Sequence, residues 1–133
     1  MRGAALVTGG ARRIGRRLAI ACARLGYDVA VHHRGGADEA EATAQAVRDA
    51  GRRAAVLEGD LADTTALQRL IPDAAEALGP LTLLINNASL FHDDRLGALD
   101  PGLWDAHLDA NLRAPVLLMQ AFAAQVPPER VDG

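Results

Sequence analysis

The sequence has 133 residues, half of them apolar, with 14 arginines, no lysine, 17 acidic residues and a formal charge of −3, which suits one domain with a sizeable core. The mildly acidic balance and the scatter of the arginines argue against an electrostatic nucleic-acid partner. A single cysteine, Cys22, excludes a disulfide framework or a cysteine-rich zinc site and predicts a reducing, cytoplasmic setting, and no apolar run approaches the ~18 residues of a membrane span.

Ala4 to Val7 reads as a short buried strand that runs into glycines, and a helix follows from about Arg13 to Leu25. Ile14, Leu18, Cys22 and Leu25 share one face of that helix, with Gly26 where a C-terminal cap belongs. Between strand and helix, the Gly9 to Gly15 turn offers backbone N–H groups free of side-chain obstruction, and the helix aims its positive N-terminus at the same point. Such an element holds a phosphate; glycines there can also serve only the close packing of helix on sheet.

Asp28 to His33 reads as a second strand, Ala37 to Ala50 as an Ala-rich helix closed by Gly51, and Ala54 to Leu57 as a third strand. Asp63 or Thr64 can cap the next helix, whose Leu67, Leu70, Ile71, Ala74 and Leu78 share a face. Pro72 lacks an N–H and predicts a kink or a split there. Leu81 to Asn86 reads as a fourth, apolar strand, and a long helix from about Leu103 to Gln125 should bend at Pro115. Val126 to Gly133, with its Pro127-Pro128 pair, reads as a loop. Alternating β and α units with continuous apolar strands predict a single α/β domain over 1–133, a doubly wound parallel sheet of Rossmann type.

Chemistry-bearing residues fall at the carboxyl ends of these strands, where ligands bind in such folds. His32-His33-Arg34 ends the second strand, about 20 residues after the glycine turn, where a carboxylate would hold the ribose hydroxyls of NAD and a basic residue accommodates the 2′-phosphate of NADP. Arg34, with Arg12 reaching across from the turn, favours NADPH; otherwise these charges only solvate a loop. His32 and His33 point to opposite faces of their strand, so a shared metal is not expected. Asp60 follows the third strand and can accept from an adenine amino group, or serve the turn after Gly59.

Asn86-Asn87-Ala88-Ser89 ends the fourth strand. Two amides after an apolar run need partners and can tie neighbouring strands while leaving the Ala88 backbone near a flat ligand. Ser89 and Phe91 add a hydroxyl and an aromatic face at the site mouth. Asn111, inside the last helix, reads by residue type as a water-facing residue. Asp93 and Asp94 read as solvated, His92 and His107 have no evident partner, and Trp104 and Phe122 read as core or interface residues.

Taken together, Thr8-Gly9-Gly10-Ala11-Arg12-Arg13-Ile14-Gly15, Asp60-Leu61, Asn86-Asn87-Ala88-Ser89 and Asn111 resemble the short-chain dehydrogenase/reductase family in order and separation. The usual turn is Thr-Gly-x-x-x-Gly-x-Gly; Arg13 stands at its middle glycine, and Ser89 stands where the asparagine motif normally ends in glycine. Both departures resemble the pteridine reductase branch, which reduces dihydropterins and dihydrofolates with NADPH, although a serine common after the arginine of its selecting segment is Gly35 here.

The resemblance implies an NADP(H) site built from Gly9, Arg12, Arg13, Ile14 and Gly15 of the turn, from His33 and Arg34, and from Asp60, Leu61, Asn87 and Ala88. It implies pterin contacts for Ser89 and Phe91, with the aromatic ring stacking, and a catalytic role in a water relay for Asn111. It further implies hydride transfer to a C=O or C=N carbon, with proton donation by a tyrosine whose pKa a lysine lowers. This chain has no lysine and only Tyr27, so neither role can be filled within it.

The resemblance also ends at Val131-Asp132-Gly133, where family members begin a fifth strand. The expectation is the N-terminal half of a reductase of about 240 to 260 residues, truncated after the fourth strand and its following helix, with Leu81 to Ile85 left as an apolar sheet edge. Full-length members are commonly homo-oligomers acting on small-molecule substrates. The rival reading is a non-catalytic nucleotide-binding module or a gene fragment.

Overall fold

Alternation along β1 (Ala4–Val7) explains the layering: Ala4 and Leu6 face one core and Ala5 and Val7 the other, and all are fully buried. The structure is a computed structural model that describes residues 2–130. β2 (Asp28–His33), β3 (Ala54–Glu58) and β4 (Leu81–Ile85) join β1 in one parallel sheet of order β3-β2-β1-β4. α1 (Arg13–Arg24) and α2 (Ala37–Asp49) cover the face of Ala5, Val7, Val29 and Val31. α3 (Thr64–Leu78) and α5 (Ala114–Gln125) cover the other, through Leu67, Leu70 and Leu118.

The order places β1 between β2 and β4, so successive crossovers leave β1 on opposite sides and opposite faces. The carboxyl ends of β1 and β4 therefore open a crevice at the topological switch point. β4 pairs with β1 alone among the described residues and forms one edge of the sheet. At the far end, buried Asp28 accepts hydrogen bonds from the N–H and guanidinium of Arg53, both at 3.0 Å, and pairs with Arg52 at 2.9 Å. Burial alone would raise its pKa, but the hydrogen bonds from Arg53 and the two guanidinium charges hold it below the ordinary carboxylate range.

Local expectations meet the structure unevenly. Asp63 does cap α3, its carboxylate accepting the Thr65 N–H at 3.0 Å, and Gly26 and Gly51 follow their helices with φ of 98° and 83°. The α1 face needs correction. Ile14 (68% exposed) and Leu25 (59%) lie outside the core, and Gly15, Ala19, Cys22 and Ala23 are the buried face. Small side chains let α1 approach the sheet more closely than its larger apolar residues would allow.

α3 is neither split nor ended at Pro72; Pro72 is exposed, so the carbonyl it leaves without a donor faces water. The expected long helix is three segments: α4 (Pro101–Leu108), a π-helical stretch Asp109–Arg113, and α5. Pro115 is the second residue of α5 and can give no N–H to the Asn111 carbonyl, so the α-ladder is interrupted where the wider turn sits. α4 buries none of its residues. Trp104, read as core or interface, is 51% exposed, whereas Phe122 packs against the α3–α5 core. The tail read as a loop contains a 3-10 turn at Pro128–Arg130, and its residues 131–133 lie outside the described residues.

Candidate functional site

The crevice is assembled from the ends of all four strands. Thr8, just after β1, accepts the N–H groups of Asn87 and Ala88 on its hydroxyl, both at 3.0 Å, and donates its own N–H to the Ile85 carbonyl at 3.1 Å. The Asn87 carboxamide returns to the carbonyls of Thr8 (3.1 Å) and Gly9 (3.2 Å). Of the two amides expected to tie strands, Asn87 does so; Asn86 is exposed.

In the turn itself, the chain passes Gly9 at φ 61° and, further on, Arg13 at φ 52°, the one non-glycine residue with positive φ among those described. A side chain at Gly15 would run into the Gly9 carbonyl oxygen and lie 2.6 Å from the Asn87 amide nitrogen, so this position admits only glycine.

The expectation that N–H groups throughout the turn are free is corrected. Gly9 donates to Nδ1 of His32 at 3.1 Å and Gly10 to the His32 carbonyl at 2.8 Å. The donors left for an anion are those of the first turn of α1, which have no intrahelical acceptor. α1 also has no side-chain cap and no acidic residue in its first turn. α3 and α4, by contrast, are capped by Asp63 and Asp100.

His32 and His33 face opposite ways, as their strand position predicts, and both are buried. Nδ1 of His33 accepts the Gly36 N–H at 3.1 Å, shaping the turn after β2. Arg34 is exposed, its guanidinium 3.7 Å from Asp60. The other Asp60 oxygen accepts the Ala62 N–H at 2.9 Å, so its turn role is made while one oxygen still faces the crevice. Arg12 pairs with Glu39 at 2.8 Å, across the mouth from Arg34. Among the described residues no cluster has the side chains to hold a metal ion.

A cavity of about 440 Å³ fills the crevice. Gly9, Arg12, Arg13, Ile14 and Gly15 wall it on the turn side; His33, Arg34, Asp60 and Leu61 wall it on the β2–β3 side; Asn87, Ala88 and Ser89 wall it on the β4 side. Phe91 is not among them. It is 81% exposed and lines a second cavity of about 260 Å³ with Trp104, His107 and Asn111.

Asn111 is placed differently from the residue-type expectation: its carboxamide accepts the Leu90 N–H at 2.7 Å and donates to the Leu90 carbonyl at 2.8 Å. It thus grips the loop that carries Ser89 and Phe91. His107, read as unpartnered, accepts the His92 N–H at 2.9 Å and turns its other ring nitrogen towards Asp94 at 3.9 Å. The structural roles of His32 and Thr8 were not read from the sequence. The available signal was their placement at the ends of adjacent parallel strands, which puts them within reach of the same turn.

Residues 3–133 match the family described as short chain dehydrogenase. The chain belongs to the short-chain dehydrogenase family. It is 34% identical over 125 residues to the short-chain dehydrogenase/reductase FrzI of Cladobotryum sp, covering 94% of this chain and 48% of that protein. It is 32% identical to the 3-oxoacyl-[acyl-carrier-protein] reductase FabG of Staphylococcus aureus, covering 95% of this chain and 51% of FabG.

Among solved structures, FolM alternative dihydrofolate reductase 1 of Brucella suis, in complex with NADP, superposes with a TM-score of 0.87 at 42% identity, covering 96% of this chain and 52% of FolM. This short-chain dehydrogenase chain spans about half the length of the relatives it matches. No helix among the described residues is long and apolar enough to cross a membrane.

Proposed function

We propose that the protein is an NADPH-dependent short-chain reductase acting on a pterin or dihydrofolate-type substrate in the cytoplasm, and that residues 1–133 form its nucleotide-binding domain. The observation that carries the reading is the first turn of α1, uncapped and free of acidic residues, beside Arg13 in a cavity that also receives Arg34. Such a helix terminus calls for an anion, and the closed approach of Gly15 to Gly9 leaves room at the turn for a diphosphate. The likeness to FolM in complex with NADP, at 42% identity, supports both the cofactor and the substrate class.

The residues present fit a dinucleotide, and each has a task. The α1 terminus and Arg13 neutralise the diphosphate; Arg34, with Arg12 and His33 shaping the same mouth, takes the 2′-phosphate; Asp60 and Leu61 flank the adenine; and Asn87 with Ala88 keeps the β4 wall flat. Bound NADPH would supply the hydride. Ser89 and Phe91 bind the pterin, and Asn111 orients their loop through Leu90. The proton donor expected for this chemistry, a tyrosine tuned by a lysine, is sought in chain beyond these residues.

The test is a fluorescence titration of the protein carrying this chain with NADPH and NADH. Tighter NADPH binding by about tenfold or more, reversed by Arg34→Asp, supports the reading; equal affinity for both, or none, overturns it. NADPH oxidation driven by dihydrofolate or dihydrobiopterin separates a reductase from a module that only binds nucleotide.

A further inference from the structure

We propose that His32 is a positioning residue for the phosphate-binding turn: its neutral imidazole, protonated on Nε2, holds Gly9 through Nδ1 and fastens it across β2 to the end of β3. The inference rests on the proposed NADPH site and names what keeps it in shape. Its basis is the hydrogen-bond sense at the two ring nitrogens. Gly9 can offer only an N–H, at 3.1 Å from Nδ1, so Nδ1 must be bare. Gly59 can offer only a carbonyl oxygen, at 2.8 Å from Nε2, so Nε2 must carry the proton. The surroundings therefore dictate one tautomer.

The residue is 2% exposed, so no water competes for either bond. Burial, with a smaller contribution from the neighbouring His33, also holds its pKa below the ordinary value, which agrees with a ring kept neutral. The backbone of His32 takes the next donor as well, its carbonyl accepting the Gly10 N–H at 2.8 Å. One residue thus orients two successive peptide groups of the turn.

The consequence for binding runs through Gly9. Its N–H is held by His32, and its carbonyl oxygen is the atom against which Gly15 packs without space for a Cβ. Gly15 lies in the first turn of α1, which supplies the N–H groups left for the diphosphate. Releasing Nδ1 from Gly9 frees that peptide to rotate and shifts the wall that locates the helix terminus. A generic core histidine would have no such directional effect.

Two substitutions separate the two ring bonds. An asparagine carboxamide oxygen lies near the place of Nδ1, so His32→Asn keeps an acceptor for Gly9 and loses Gly59. A glutamine amide reaches the place of Nε2, so His32→Gln keeps Gly59 and loses Gly9.

Each variant should lower the thermal midpoint, having lost one buried bond. NADPH affinity should fall about tenfold or more in His32→Gln and stay within about threefold of the parent in His32→Asn. Equal losses in both, or none in either, overturn the proposal. Should the variants fold poorly, the imidazole ¹⁵N shifts of the parent protein decide: a proton on Nε2 and a bare Nδ1 support it, and the opposite tautomer sinks it. A parent that binds no NADPH fails the functional reading, while the tautomer still reports on His32.

Discussion

Asn87 and Thr8 are locked to each other in both directions, the Asn87 carboxamide donating to the Thr8 carbonyl at 3.1 Å while the Thr8 hydroxyl accepts the Asn87 N–H at 3.0 Å. The pair welds the ends of β4 and β1 at the point where the crevice opens. Neither atom set can turn towards water without abandoning the other, so the β4 wall and the glycine turn move as one body.

Asn87→Ala should therefore cost about 1–3 kcal/mol of stability, because it leaves the partly buried carbonyls of Thr8 and Gly9 without their donor. NADPH affinity should fall with it. Asn86→Ala, at an exposed position, should change stability by less than about 0.5 kcal/mol. Urea unfolding of both variants checks the contrast, and equal effects would refute the assignment of the lock to Asn87.

Arg13 sits at φ 52°, where an L residue carries a penalty of about 1–2 kcal/mol that glycine avoids. Arg13→Gly should raise the unfolding free energy of the ligand-free protein by about 1 kcal/mol and weaken NADPH binding, since it removes a cation from the cavity wall. Calorimetric melting paired with cofactor titration measures the trade. A gain in both would show that Arg13 takes no part in binding.

Asp28 has a folded pKa below its ordinary value of 3.8, so its contribution to stability is complete above that value and is lost as pH falls through the depressed one. Asp28→Asn should cost about 2 kcal/mol at neutral pH, moderated by the exposure of Arg53. The difference between parent and variant should shrink as the pH drops below 3.8 and disappear once Asp28 is protonated in both states. Denaturation curves over the acid range read this directly, and a pH-independent difference would exclude the ion pair as its cause.

Much of the site was legible because it lies in short motifs joined to strong local signals. The run Thr8 to Gly15, the basic Arg34 after β2, Asp60 after β3 and Asn87 after β4 could all be assigned to one sheet edge from alternation alone, and the cavity gathers them. The misreadings share a different cause. Ile14 and Leu25 matched a helical period but not the buried face, since the depth at which α1 packs is set by Gly15 and its neighbours. Asn111 looked solvated by residue type, yet its partner is the backbone of Leu90, a group with no signature in sequence. The pairing of His107 with His92 was hidden for the same reason.

What the amino-acid order determined by itself was the alternation of strands and helices and the residues delivered to the carboxyl edge, because periodicity and turn chemistry act over a few neighbouring residues. Tertiary structure alone decided which turn N–H groups remain available and which are held by His32, as well as which of the paired asparagines ties β4 to β1. Those outcomes depend on distances between segments far apart in the chain. Only the packed sheet brings a donor on one strand within 3.1 Å of an acceptor on the next, and local pattern carries no record of such a separation.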